Sequence, residues 1–436
     1  MEKYIAVLDV GTSKMLALAV SMENRSNIIA SAQVESGDAM KRGLIADETE
    51  FKTKITELLK NFQEALPSPL SKIYIGLGGQ GLHSEIRTSI MPNDGEEITQ
   101  RALSAMDEDF YSQSAEWSVE LLDMYAAAQE YYLDGELEEE PVGKIAQRIE
   151  GRYFCIVGHQ QKTKTILENI LYQMRIEIVD YFISPLATAA SALSIQDKLS
   201  GCALVEMGAS LTYLSIYNDS KLCYLQTLPL GGDAITNDLC VLNADTTKEN
   251  AEKKKITEGK AIAEDDDKKT AQWIEARMIE IVSNLTTFIQ QSGYANQLEA
   301  GIVWTGGASQ LPQIDRLWAT QSNIKHRFIS NQPEKSCAWG MAKMGKIVCG
   351  NEQQNSETID ETPPVDDETE QKSGLRNKLT EWFFNNKSEK EPDSKGTNEP
   401  KDVENPKISK KSGHKKKQNT GMKDLFSGFA EKILND

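Results

Sequence analysis

Apolar positions recur along this chain with two alternating periods. Tyr4-Ile-Ala-Val-Leu-Asp9, Ile73-Tyr-Ile-Gly-Leu77 and Tyr153-Phe-Cys-Ile-Val157 are short continuous apolar runs and read as buried strands. Between them, Phe51, Ile55, Leu58, Leu59 and Phe62 fall on one face of a helix that Pro67 closes, and a further helix is expected around Ile166–Met174. Ala203-Leu-Val-Glu206 and Leu211–Tyr217 read as a hairpin. A long helix follows near Trp273–Gln291, with Ile274, Met278, Ile281, Leu285 and Phe288 on one face and Gly293 beyond its end. Strands alternating with helices over residues 1–350 predict an α/β body. From about Ser84 to Gly158 the periodicity weakens and acids gather at Glu136–Glu140, which predicts an inserted subdomain.

After Gly350 the pattern changes character. Residues 351–371 are rich in Glu, Asp, Thr and Pro, a composition that cannot bury enough apolar surface to offset the entropy of folding. Within this tail Leu375, Leu379, Trp382 and Phe383 recur at helical spacing, with Arg376 and Lys378 beside them. At the end, Met422, Leu425, Phe426, Phe429 and Ile433 form one narrow stripe, with Lys423 and Lys432 on its flanks and Asp424, Ser427 and Glu431 behind it. Apolar face, lysine margins and acidic back predict a helix lying in a membrane interface. The same segment would also suit a partner's groove or its own domain.

Composition sharpens this division. The 436 residues exceed one comfortable core, so more than one domain is expected. The net charge of −18 argues against nucleic acid as a partner. Yet from Lys401 to Asp436 nine lysines stand against five acids, a local +4 that leaves −22 for the rest. Lys410, Lys411, Lys415, Lys416 and Lys417 precede the terminal stripe, where each near an anionic surface adds about 1 kcal/mol. Six scattered cysteines without a C-x-x-C pair fit a reduced compartment, and four histidines show no ligand spacing. The first strand has no signal peptide before it and no apolar run approaches about 18 residues, so a cytoplasmic, non-spanning protein is expected.

Three stretches carry candidate chemistry. Asp9-Val-Gly-Thr-Ser-Lys14 follows the first strand, so Gly11, Thr12, Ser13 and Lys14 place backbone N–H groups, hydroxyls and an ammonium around an anion, while Asp9 suits hydrated Mg2+. In Gly301–Ser309, Gly306 and Gly307, with Ala308 after them, let the backbone approach a ligand closely. In Ala251–Lys255, Glu252 and Lys255 stand one helical turn apart and could address a ribose and base together; a solvated charged helix is the plainer alternative.

Taken in order, these elements resemble the actin-like ATPase superfamily, and within it the FtsA family of bacterial cell-division proteins. Asp9–Lys14 is similar to that family's first phosphate loop, Thr305–Ser309 to its adenosine loop, and Ala251–Lys255 with Gly259 to its A-E-x-x-K-x-x-x-G helix. Lys41-Arg-Gly-Leu-Ile45, Pro141-Val-Gly143, Pro229–Asp238 and Glu275-Ala-Arg277 resemble further family segments. The second phosphate loop departs from the family's D-x-G-G-G-T: it reads Glu206-Met-Gly-Ala-Ser-Leu211. Ala209 and Ser210 replace glycines and tolerate positive φ poorly, and Leu211 lacks the threonine hydroxyl.

The resemblance implies an actin-like (ribonuclease H-like) fold in two halves. Residues 1–83 and 159–198 would form the first half and 84–158 the inserted subdomain. Residues 199–236 and 301–350 would form the second half, 237–300 its smaller subdomain, 351–420 a disordered linker and 421–436 the membrane helix. It implies ATP and Mg2+ between the halves, with Gly208 and Ala209 joining the nucleotide site, Glu206 joining Asp9 at the metal and weak or absent hydrolysis. It further implies filaments of the protein itself, tethering of the FtsZ tail with Arg277 as a contact, and recruitment of later division proteins at the septum on the cytoplasmic membrane face. An internal salt bridge is the other role open to Arg277. A sugar-kinase-like enzyme and a pilus-assembly ATPase relative remain alternatives on the same fold.

Overall fold

The computed structural model describes residues 2–124, 128–242, 246–263 and 269–350. The expectations for Leu375–Phe383 and for Met422, Lys423, Leu425, Phe426, Phe429, Lys432 and Ile433 lie outside the described residues.

The first sheet begins with three antiparallel strands, β1 (Tyr4–Val10), β2 (Lys14–Ser21) and β3 (Ile28–Glu35). A two-strand ribbon, β4 (Met40–Lys41) and β5 (Leu44–Ile45), leads into helix α1 (Glu48–Glu64). Asp47 caps α1 by accepting from the Glu50 N–H, and Phe51, Ile55, Leu58, Leu59 and Phe62 are its buried face. Strand β6 (Lys72–Leu77) then pairs in parallel with β1.

A second five-stranded sheet follows, made of β7 (His83–Pro92), β8 (Glu120–Met124), β9 (Glu130–Leu133), β10 (Glu136–Glu138) and β11 (Arg148–Gly158). Helix α2 (Gln100–Gln113) covers one face, and Leu103, Met106 and Phe110 share a core with Ile149, Tyr153, Cys155 and Val157. This core has its own centre, separate from that of the first sheet.

The chain returns through α3 (Gln161–Gln173) to β12 (Glu177–Ile183), which completes the first sheet in the order β12-β6-β1-β2-β3. Helix α4 (Ser184–Ala192) and the short α5 (Ile195–Leu199) lead to a third sheet. Its strands are β13 (Cys202–Met207), β14 (Thr212–Asn218) and β15 (Lys221–Leu228), joined later by β16 (Gly301–Thr305) and β17 (His326–Phe328). Between β15 and β16 lie α6 (Gly232–Leu242), α7 (Lys248–Glu258) and α8 (Lys269–Gln291); α9 (Ile314–Gln321) precedes β17.

The third sheet repeats the first. In each, the central strand pairs antiparallel with the next strand in sequence, which pairs antiparallel with the one after it. On its other side the central strand pairs in parallel with a later strand, which carries a further parallel strand at the edge. Helix α10 (Ser336–Met344) closes the chain by returning from the second repeat to the first sheet's core, where Cys337, Ala338 and Met341 are buried. It passes α4 so closely that a Cβ on Gly340 would stand 1.7 Å from the Ala187 carbonyl oxygen. Two helices thus connect the halves, and only glycine fits their contact.

Candidate functional site

The turn from β1 to β2 is tied down at three points. Ser36 Oγ donates to Gly11 O at 2.7 Å, Ser36 N–H donates to Ser13 O at 2.8 Å, and Thr12 Oγ1 accepts from Gly43 N–H at 2.8 Å. The Thr12 oxygen therefore holds the Lys41–Ile45 ribbon in place, leaving its hydroxyl hydrogen to donate. Gly11 is required because a Cβ there would stand 2.6 Å from Lys14 O.

The equivalent turn of the second repeat runs from Glu206 to Leu211. Its carbonyls cap the start of α6: Gly232 N–H donates to Gly208 O at 3.0 Å and Asp233 N–H to Ala209 O at 2.7 Å. Ser210 Oγ donates to Asp233 Oδ2 at 2.7 Å. Neither Ala209 nor Ser210 adopts positive φ, so the side chains read from the sequence as an obstacle sit in this loop without backbone strain. Leu211 is buried, and its Cδ1 would stand 3.3 Å from a Cβ on Gly43 of the first half. An apolar side chain thus occupies the contact between the two turns.

Helix α7 brings its pair to the same place. Lys255 Nζ donates to Glu252 Oε2 at 2.6 Å, to Gly232 O at 3.0 Å and to Thr236 Oγ1 at 3.0 Å. All three of its donors are thereby used, and Thr236 also hydrogen-bonds Glu252. A Cβ on Gly232 would lie 3.0 Å from Lys255 Nζ and 3.2 Å from Ala308 Cβ, which sets the start of α6, α7 and the turn after β16 side by side. In that turn Gly306 has φ +89°, and a Cβ would stand 2.4 Å from Met207 O. Gly307 has more room, its nearest neighbour being Glu334 Cβ at 3.5 Å.

Asp9 and Glu206 stand one residue before the ends of the central strands of the two repeats, and Glu206 senses the Asp9 charge. Burial pushes the Asp9 carboxyl up to about 6, offset in part by the Cys337 thiol and by Lys14. Burial, and then the Asp9 charge, push Glu206 up to about 8. Its Oε2 is shut off from solvent and has no hydrogen-bond partner among the described residues. Tyr213, in register with Glu206 on β14, accepts from Gly79 N–H at 2.7 Å and so links the halves.

Sequence reasoning missed Tyr213 and Cys337. Each sits in an ordinary apolar pattern, and no local motif marks a residue whose partner lies on the other repeat. A cavity of about 310 Å³ borders this region, lined by Lys41, Arg42, Leu44, Ile45, Ala46 and Gln80.

The structure does not bring Arg277 to the cleft. On α8 its Nε donates to Asp238 Oδ2 at 2.7 Å and its Nη2 to Asp238 Oδ1 at 2.8 Å, and a third nitrogen pairs with Glu280. The guanidinium is committed inside the α6–α8 layer, the salt-bridge role that the sequence had left open beside a partner contact.

Two repeated sheets, crossed by two helices and closing their central-strand turns on one cleft, define an actin-like fold. A solved PilM–PilN type IV pilus biogenesis complex supports it, with a TM-score of 0.56 at 16% identity over 78% of this chain and 97% of that one. At sequence level the chain is similar to FtsA. The family model for cell division protein FtsA matches residues 203–340. The cell division protein FtsA of Bacillus subtilis is 27% identical over 74% of this chain and 78% of its own. That of Neisseria meningitidis is 25% identical over 72% and 80%, and that of Escherichia coli 23% over 79% and 90%.

Proposed function

We propose that this chain is an ATP-binding, actin-like scaffold of bacterial cell division. It polymerises on the cytoplasmic face of the membrane, tethers the FtsZ ring there at the septum and recruits later division proteins through residues 84–158. The observation that carries the reading is the convergence of four loops, from both repeats, on the Asp9–Glu206 cleft. The FtsA likeness along most of the body supports the biological setting.

The residues fit a magnesium nucleotide. Gly307 leaves room for close backbone approach, and two facing carboxyls with an orphaned Glu206 oxygen suit a divalent cation. Among the described residues no cluster of three His, Cys, Asp or Glu forms a metal cage. A cation here would therefore draw its remaining ligands from phosphates and water. Gly11–Lys14 and Gly208–Ala209 would hold the phosphates, and Gly306–Ala308 with the Glu252–Lys255 pair the nucleoside end. Bound Mg2+ would supply charge neutralisation for the phosphates. Leu211 offers no hydroxyl, so binding without appreciable turnover is the expected behaviour.

The membrane arm rests on residues 421–436. If residues 351–420 are disordered, their ends average roughly 45 Å apart, and a single terminal helix binds only weakly, near 10⁴ M⁻¹ for one lipid anchor. A filament would present many helices and hold by avidity. Full-length protein and a Phe426→Asp/Phe429→Asp variant are to be sedimented with anionic vesicles, with and without ATP and Mg2+, and imaged by electron microscopy. Equal pelleting of the two proteins, or no filaments on lipid with ATP, would sink the reading.

A further inference from the structure

The tail leaves the body at a defined surface. Cys349 N–H donates to Tyr4 O at 2.9 Å, Lys72 N–H donates to Cys349 O at 3.1 Å, and Gly350 bridges to Leu70. The exit is thus wedged between the starts of β1 and β6. The register sets Glu177 beside Lys72, Tyr4 beside Ser21 and Val20 beside Ile28, and β1, β6 and β12 run parallel. One end of the first sheet, roughly 20 Å across five strands, therefore surrounds the exit.

This end combines exposed apolar side chains with an excess of positive charge. Tyr172, on the last turn of α3, is 84% exposed, and Ile28 and Ile347 are 42% and 40% exposed. Across its loops and strand ends (2–3, 22–27, 64–72, 172–177 and 343–350) six Lys or Arg face four acids: Glu2, Glu23, Glu64 and Glu177. That local +2 stands in a chain whose first 400 residues total −22. Glu177 is paired with Lys72 at 3.0 Å, while Lys3, Arg175 and Lys346 have exposed side chains.

We propose that this end of the first sheet is the body's own contact surface for an anionic bilayer. Tyr172, Ile28 and Ile347 enter the headgroup layer, and Lys3, Arg175 and Lys346 lie over lipid phosphates. The occupant follows from the tail: residues 351–436 begin on this face and end in the lysine-flanked stripe, so whatever the tail grips is held at high effective concentration beside it. Docked in this way, the body points the Asp9–Glu206 cleft, about 20 Å away along β1, toward the cytoplasm. This inference rests on the membrane-tether reading above and adds a second contact to it.

The test uses the full chain with Cys223→Ser and Cys240→Ser, spin-labelled at Tyr172→Cys or, as control, at Ile256→Cys on α7, on vesicles containing about 30% phosphatidylserine. Oxygen accessibility of the label at 172 should rise several-fold on binding, while that at 256 stays as in water. An Arg175→Glu/Lys346→Glu variant should bind these vesicles about tenfold more weakly, with no change on pure phosphatidylcholine. If the chain binds through its tail while the label at 172 stays in water, this docking is overturned and the tether stands. If the full chain binds no vesicles, both are overturned.

Discussion

The Tyr213 hydroxyl of the second repeat accepts a hydrogen bond from the Gly79 amide of the first at 2.7 Å, so the two halves are joined at the cleft as well as through their connecting helices. Removing that oxygen leaves a part-buried N–H without this acceptor. Tyr213→Phe should lower stability by about 1–2 kcal/mol, read as a lower urea midpoint at unchanged slope.

The α4–α10 contact is less forgiving. A methyl on Gly340 meets the Ala187 carbonyl at 1.7 Å, and a backbone carbonyl cannot swing aside as a flexible side chain would. Gly340→Ala should destabilise by about 1–3 kcal/mol or more and separate the halves. Denaturant unfolding measures the first effect and small-angle scattering the second.

The two cleft carboxyls predict a pH dependence with a definite sign. Glu206 rises from the usual carboxyl range to about 8 in the folded chain, so between those values the folded state keeps a proton that the unfolded state releases. Its contribution is full below the unfolded value and fades as pH climbs through about 8. Asp9 acts likewise, fading up to about 6. The urea midpoint of nucleotide-free protein should fall between pH 6 and 8.5, and Glu206→Gln should flatten that slope. A midpoint rising over this window in the parent chain would contradict the buried pair.

Arg277 is expected to act through its partners. Arg277→Ala strips Asp238 of a bidentate partner and should cost about 3 kcal/mol. If the guanidinium supports a binding surface without touching the ligand, Asp238→Asn should weaken capture of an FtsZ C-terminal peptide as much as Arg277→Ala does, by fluorescence anisotropy. A large loss confined to Arg277→Ala would make it a direct contact.

Leu211 separates packing from ligand chemistry. Leu211→Thr keeps a branched side chain but gives up apolar contact near Gly43, at about 1–2 kcal/mol. If the missing hydroxyl limits the site, the same change should tighten ATP binding in calorimetry even as the urea midpoint drops.

Much of the body was legible along the chain because its signals are local. The run Tyr4–Asp9 became β1, the face Phe51–Phe62 became α1, and the Ala203–Glu206 and Leu211–Tyr217 segments paired as read. The glycine turns after β1 and β16 stood out because close backbone approach permits few other residues there. The contrast between an acidic chain up to residue 400 and a lysine-rich terminal segment from Lys401 to Asp436 was likewise legible from composition alone.

Other properties exist only once distant segments meet. The repetition of one strand order in two sheets, the Tyr213–Gly79 link and the placement of Cys337 beside Asp9 join residues more than a hundred positions apart, and no local pattern encodes such a pair. Burial of Glu206 against Asp9 is what raises its affinity for a proton, and Asp238 is what occupies Arg277. Sequence set which elements form and which residues carry charge. Packing decided which charges face each other, because desolvation and hydrogen bonding depend on neighbours that the chain order does not name.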